Sequence, residues 1–147
     1  MKVVITGGLG YIGTELCKLY SGEARFKEII VIDNRFASDR VTQLRVWGID
    51  FIHGDILDLS LMKRILKDAD IVFRLAGITD VAHTKNEADI HKEKLIAEVG
   101  IDGTKNIIKS LSKKSKLIFP STHVVYEGLD KTKFDIIESE PLLPVLS

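Results

Sequence analysis

Two groups of residues near the start of the 147-residue chain have the types and spacing to do chemistry: the glycines Gly7, Gly8, Gly10 and Gly13, and the pair Asp33-Asn34. Gly8, Gly10 and Gly13 satisfy G-x-G-x-x-G, while Gly7, Gly10 and Gly13 satisfy G-x-x-G-x-x-G. After a strand and at the mouth of a helix, such a turn lets backbone N–H groups approach a diphosphate at the positive end of the helix. The same glycines also fit a plain strand-to-helix turn. Asp33 stands twenty residues past Gly13, at the end of the next apolar run. A carboxylate there can accept hydrogen bonds from the hydroxyls of an adenosine ribose, although Asp33 and Asn34 also fit a polar strand-end turn. A carboxylate repels a ribose 2′-phosphate, so NAD is favoured over NADP, and Arg35 keeps NADP open.

Elements that would position these groups follow from the apolar pattern. Five short, nearly unbroken apolar runs read as strands: Val3 to Thr6, Glu28 to Ile32, Asp50 to His53, Ile71 to Leu75 and Lys116 to Pro120. Unbroken runs suit strands covered on both faces, and their alternation with helical segments is the signature of βαβ units around a parallel sheet. Helices are predicted at Tyr11 to Ser21, Asp39 to Trp47, Ser60 to Lys67 and Glu87 to Leu111. In the last, Ile90, Ile96, Val99, Ile107 and Ile108 are expected to form the buried stripe, with Gly100 and Gly103 allowing close backbone approach.

Composition narrows the function classes. Lys plus Arg and Asp plus Glu balance at 21 each, so no overall field favours nucleic acid or an anionic membrane surface. The 45% apolar fraction supports one core at a length typical of one domain. No apolar run approaches the roughly 18 residues of a membrane span, and the short run before Thr6 is no signal peptide. The single cysteine, Cys17, cannot form an internal disulfide and fits a packing role in a reducing cytosol. His53, His83, His91 and His123 show no metal-ligand spacing, so no metal is expected. Thr14 follows Gly13 without a lysine, which rejects a P-loop. A methyltransferase binding S-adenosylmethionine stays open, because that cofactor carries the same ribose. The third glycine better suits a diphosphate, which S-adenosylmethionine lacks.

The motifs together resemble those of the extended short-chain dehydrogenases/reductases, in the NAD-dependent epimerase/dehydratase group typified by UDP-glucose 4-epimerase. Thr6-Gly7-Gly8-Leu9-Gly10-Tyr11-Ile12-Gly13 resembles that group's T-G-G-x-G-x-I-G, and Val31-Ile32-Asp33-Asn34 its V-x-D-N. Gly54-Asp55-Ile56, Leu75-Ala76-Gly77 and Ile101-Asp102-Gly103-Thr104 are similar to its G-D-[I/L], H-x-A-[A/G] and N-V-x-G-T segments. Phe119 to Tyr126 is similar to F-S-S-[S/T]-x-x-V-Y-G. The resemblance implies an α/β Rossmann-type parallel sheet in the order 3-2-1-4-5 with helices on both faces. It implies NAD held by Gly7, Gly10, Tyr11, Ile12, Gly13, Asp33, Asn34, Asp55, Ile56, Leu75, Ala76 and Gly77. It also implies a nucleotide-sugar substrate, a homodimer through the long fourth helix, and Thr122 as the catalytic hydroxyl. That hydroxyl would donate to a developing alkoxide and accept from an alcohol; Ser121 and Thr122 also fit ordinary strand-end polar residues.

Departures from the pattern are expected to matter. Arg74 stands where the group has histidine, Gly100 where it has the helix asparagine, and Glu127 where a glycine follows the tyrosine, with Gly128 displaced by one. His123 replaces a small residue beside Thr122. The group's base is a tyrosine in Y-x-x-x-K, which from Thr122 falls near or beyond Ser147. Tyr11, Tyr20 and Tyr126 are followed four residues later by Glu15, Ala24 and Asp130, so none matches. The expectation is therefore an NAD-binding domain over residues 1–126 and a connecting loop over 127–147 that leads toward a missing catalytic helix and substrate domain. This part of an epimerase/dehydratase-type enzyme would be inactive alone. An NAD(P)-binding sensor or scaffold is the alternative.

Overall fold

The computed structural model describes residues 1–78, 90–129 and 135–144. Five parallel strands form one sheet: β1 (Lys2–Thr6), β2 (Glu28–Asp33), β3 (Asp50–His53), β4 (Ile71–Arg74) and β5 (Lys116–Ile118). Their order is β3-β2-β1-β4-β5, with Val3 opposite both Ile29 and Ile71. Helices α1 (Tyr11–Ser21), α2 (Ser38–Val46) and α3 (Leu59–Leu66) connect the first four strands. Before β5 the chain runs through α4 (Ile90–Ala97), a π-helical turn (Glu98–Gly103) and α5 (Thr104–Ser110). A 3₁₀ turn, His123–Tyr126, follows β5.

Strand alternation divides the core between the two faces of the sheet. Val4, Ile30, Ile32 and Val72 pack against Met62, Ile65, Leu66 and Ile107 from α3 and α5. Val3, Ile5, Val31 and Phe73 face the other way, onto Cys17, Val41 and Leu44 from α1 and α2. Every β1 residue from Val3 to Thr6 is buried, as an unbroken apolar run at the centre of a doubly covered sheet requires. Burial pushes the Cys17 thiol up to about 12, consistent with its packing role. Helix α3 is started by Asp58, whose carboxylate accepts from the N–H groups of Ser60 (2.9 Å) and Leu61 (3.0 Å). Among the described residues, no helix is long and apolar enough to cross a membrane.

The sheet order and strand number agree with expectation, and the differences lie at the ends and in the fourth helix. Strand β4 stops at Arg74 rather than Leu75, and β5 at Ile118 rather than Pro120, because the chain leaves the ladder to line a cleft. The described helix before β5 is divided by the π turn, and the expected start at Glu87 lies outside the described residues. Val99 and Ile107 are buried, but Ile96 and Ile108 are exposed. The inward face runs through Val99, Gly103 and Ile107 at four-residue steps, so Ile108, one residue on, turns outward beside Ile101. Gly103 presses so closely on Ile56 that a Cβ would overlap it.

Candidate functional site

The strand order reverses between β1 and β4, and the carboxyl ends of those strands open into a cleft of about 790 Å³. A doubly wound sheet binds ligands at such a point. Its floor is made by the turn from β1 to α1. Gly7 has φ 72°, and a Cβ there would lie 2.5 Å from the Ala76 nitrogen, so only glycine lets this turn pass under the end of β4. A Cβ on Gly13 would come within 2.6 Å of the Gly8 Cα, which is how α1 starts so close to the strand end. Gly7, Gly10 and Gly13 line the cleft, whereas Gly8 packs against Val31 away from it. Of the two glycine spacings in the sequence, the structure therefore presents G-x-x-G-x-x-G to the cleft.

Helix α1 begins at Gly10 with no side-chain cap and no acid in its first turn. The first helical bond runs from Thr14 N–H to the Gly10 carbonyl (2.9 Å), and the N–H groups of Tyr11, Ile12 and Gly13 have no acceptor among the described residues. Three free amides and the positive helix end thus face the cleft, uncapped by any described side chain.

Asp33 ends β2 on the cleft wall and is 5% exposed. Its carboxylate accepts from Leu9 N–H (3.0 Å) at one oxygen and from Arg35 N–H (3.0 Å) at the other, with Arg35 Nε at 3.3 Å. These bonds lock the glycine turn to the strand end; Oδ1 takes both Arg35 bonds, and Oδ2, with one bond from Leu9, retains a lone pair for a ribose hydroxyl. Asn34 donates its amide to Asp55 (2.9 Å), whose other oxygen accepts from Leu57 N–H (2.9 Å). Asn34, Asp55 and Ile56 line the cleft beside Asp33, and Leu75, Ala76 and Gly77 line the opposite wall. Tyr11 and Ile12 border it on the first turn of α1. Every expected cofactor residue is therefore brought to one cavity, whose glycine floor, free amides and acidic rim fit a dinucleotide.

Thr122 lies just past the cleft-lining Ser121, is exposed, and accepts a long hydrogen bond from Val124 N–H (3.4 Å). His53 bonds through Nε2 to the Asn34 carbonyl (2.9 Å), His83 lies outside the described residues, and nothing is described of the His91 and His123 side chains. Among the described residues, no cluster of His, Cys, Asp or Glu could hold a metal ion. Gly128, the displaced glycine, touches the Leu143 carbonyl so closely that a Cβ would not fit, and its N–H donates to that carbonyl (2.8 Å).

Among the lining residues that motif reading left out of the site is Arg74, which is buried. Its Nε donates to Thr104 Oγ1 (3.1 Å) and its Nη2 to the carbonyls of Val99 (3.1 Å) and Gly100 (3.4 Å), while its guanidinium stands 4.8 Å from the centre of the Phe119 ring. Burial pushes this group below the usual arginine range. The signal in the sequence was a pair of departures, Arg74 and Gly100, which the structure shows touching.

A doubly wound sheet with this amide-floored cleft at its switch point defines a Rossmann-type nucleotide-binding domain. The chain belongs to the 3-beta hydroxysteroid dehydrogenase/isomerase family, whose pattern matches residues 4–141. It is 33% identical over 127 residues to UDP-N-acetyl-alpha-D-glucosaminuronate decarboxylase of Bacillus cytotoxicus, covering 85% of this chain and 37% of that protein. Among solved structures, a dTDP-glucose 4,6-dehydratase double mutant from Streptomyces venezuelae, with NAD bound, superposes with TM-score 0.79 at 25% identity over 98% of this chain and 46% of that one. UDP-glucose 4-epimerase of Thermotoga maritima, with UDP-glucose, gives TM-score 0.79 at 25% identity over 99% and 45%. The chain thus spans less than half the length of these relatives. Membership agrees with the resemblance read from the motifs.

Proposed function

We propose that this chain is the NAD-binding portion of a nucleotide-sugar epimerase/dehydratase-type oxidoreductase. The observation that carries the reading is the trio of unpaired amides at Tyr11, Ile12 and Gly13, facing a cleft whose rim holds the Asp33 carboxylate. The amides would hold the diphosphate, Asp33 the adenosine ribose, and Asp55 and Ile56 the adenine end. Leu75, Ala76 and Gly77 would border the nicotinamide half. NAD bound there supplies a hydride acceptor or donor. Thr122, beside that half, would hold the substrate oxygen by its hydroxyl, and a rotation away from Val124 N–H frees it to do so. The names of the relatives support a sugar nucleotide as the substrate class.

Residues 1–126 make the cofactor unit in this reading, and residues 127–147 lead toward the tyrosine-bearing element. No tyrosine of these 147 residues stands in Y-x-x-x-K, so the base would come from chain outside them and the polypeptide alone is expected to bind without turnover. The exposed Leu95, Ile101 and Ile108 on the outer face of the long helix support a homodimer, which sedimentation would test. The buried single cysteine suits a reducing cytoplasm.

Calorimetry with NAD, NADP and S-adenosylmethionine tests the reading. NAD is expected to release heat and NADP to bind more weakly. S-adenosylmethionine binding in place of NAD, or no heat with either nicotinamide dinucleotide, would sink it.

A further inference from the structure

Arg74 is 7% exposed, and among the described residues no carboxylate pairs with it. Two carbonyls, the Thr104 hydroxyl and the Phe119 ring face surround the guanidinium, but these dipoles leave its formal charge in place. Nη1 has no acceptor among the described residues and lies 3.5 Å from where a Cβ on Gly77 would stand, at the cleft wall. A buried cation with no counter-ion among the described residues is costly, and it persists here inside the candidate site.

Its position in the cleft gives that charge a use. Asp33 marks the adenosine side, over β2 and β3, so the second mononucleotide of a bound dinucleotide falls on the side of β4 and β5, where Arg74, Gly77, Phe119 and Ser121 line the wall. An oxidised nicotinamide ring carries a positive charge; the reduced ring carries none. A fixed cation that is itself 7% exposed, set in that wall, works against the first and not the second. Resting on the dinucleotide reading above, we propose that Arg74 sets the preference of the site for oxidation state, making it hold NADH more tightly than NAD⁺. Its partners Val99 and Gly100 in the π turn and Thr104 at the start of α5 are positioning residues that aim the guanidinium. Gly100, where the related pattern has asparagine, contributes a carbonyl in place of a competing amide side chain.

The test is the ratio of dissociation constants for NAD⁺ and NADH, by titration of the 147-residue chain and of its Arg74→Gln and Arg74→Lys variants. The unsubstituted chain is expected to favour NADH by about tenfold or more. Arg74→Gln should erase most of that ratio while Arg74→Lys, which keeps the charge, retains it. A tenfold change corresponds to about 30 mV in the potential of the bound two-electron couple. Equal affinities for the two forms in the unsubstituted chain overturn the proposal whatever the variants do. So does an equal loss of both affinities in Arg74→Gln, which would make Arg74 a phosphate anchor or a purely structural group. If neither form binds the unsubstituted chain, the dinucleotide reading itself fails, and the role of Arg74 falls with it.

Discussion

The two halves of the cleft are built on different principles. On the β2–β3 side, backbone geometry and short side chains do the work: Asp33, Asn34 and Asp55 tie adjoining strand-end turns together close to the main chain. On the β4–β5 side, a long side chain, Arg74, reaches from a strand end across to a helical turn. The first half follows the related pattern closely, and the departures gather in the second. A diphosphate and an adenosine demand the same groups whatever reaction follows, whereas the other half must suit the chemistry and is free to vary.

Substitutions rank by how much of this contrast they disturb. The largest effect is expected where both halves meet, at Gly7. Gly7→Ala adds a methyl into the Ala76 backbone at a positive φ, which should cost about 3 kcal/mol, read as a lower urea midpoint, and abolish NAD binding. Loss of binding without loss of stability would show that the crossing is not tight. Next, Asp33→Ala strips the acceptor from Leu9 N–H and Arg35 N–H; about 2 kcal/mol of stability and roughly tenfold in NAD affinity should go together. Unchanged affinity would mean that the carboxylate serves only the turn.

In the second half, Thr104→Val preserves shape but removes the acceptor for Arg74 Nε and the hydroxyl that bonds the Gly100 carbonyl. A cost of about 1 kcal/mol and a partial shift of the NAD⁺ to NADH ratio are expected, with adenosine-side contacts untouched. An effect on ADP binding would break the separation of the halves. The smallest effect lies outside the cleft, at Asp58. The Leu61 N–H and then the Ser60 hydroxyl hold its carboxyl below the ordinary aspartate range. A depressed value contributes stability that is present at neutral pH and fades as acid protonates the folded carboxyl. Asp58→Asn should therefore flatten slightly the acid limb of a stability–pH curve, below about pH 4, and leave neutral binding alone.

This division also explains what the sequence made legible. Strands β1 to β5, the glycine turn and Asp33 are local features, each decided by a few neighbouring residues, and sheet order came with the motifs that resemble a known family. The role of Gly8 could not be separated from that of Gly7, because their difference lies in Val31 and Ala76, which arrive from other strands. The outward turn of Ile96 and Ile108 was hidden because two apolar stripes share one helix and residue spacing alone does not say which meets the sheet. Arg74 was visible as an oddity, yet its partners, Val99 in the π turn and Thr104 at the start of α5, are known only from the folded chain.

Cys17 offers a use that the cleft does not advertise. The sole thiol of the chain is sealed beneath α1 and stays protonated under ordinary conditions, so alkylating reagents should find it only when that helix lifts from the sheet. The helix carries the amides proposed to grip the diphosphate. The rate at which a maleimide labels the chain thus becomes a clock for helix opening, and a seated dinucleotide should slow it.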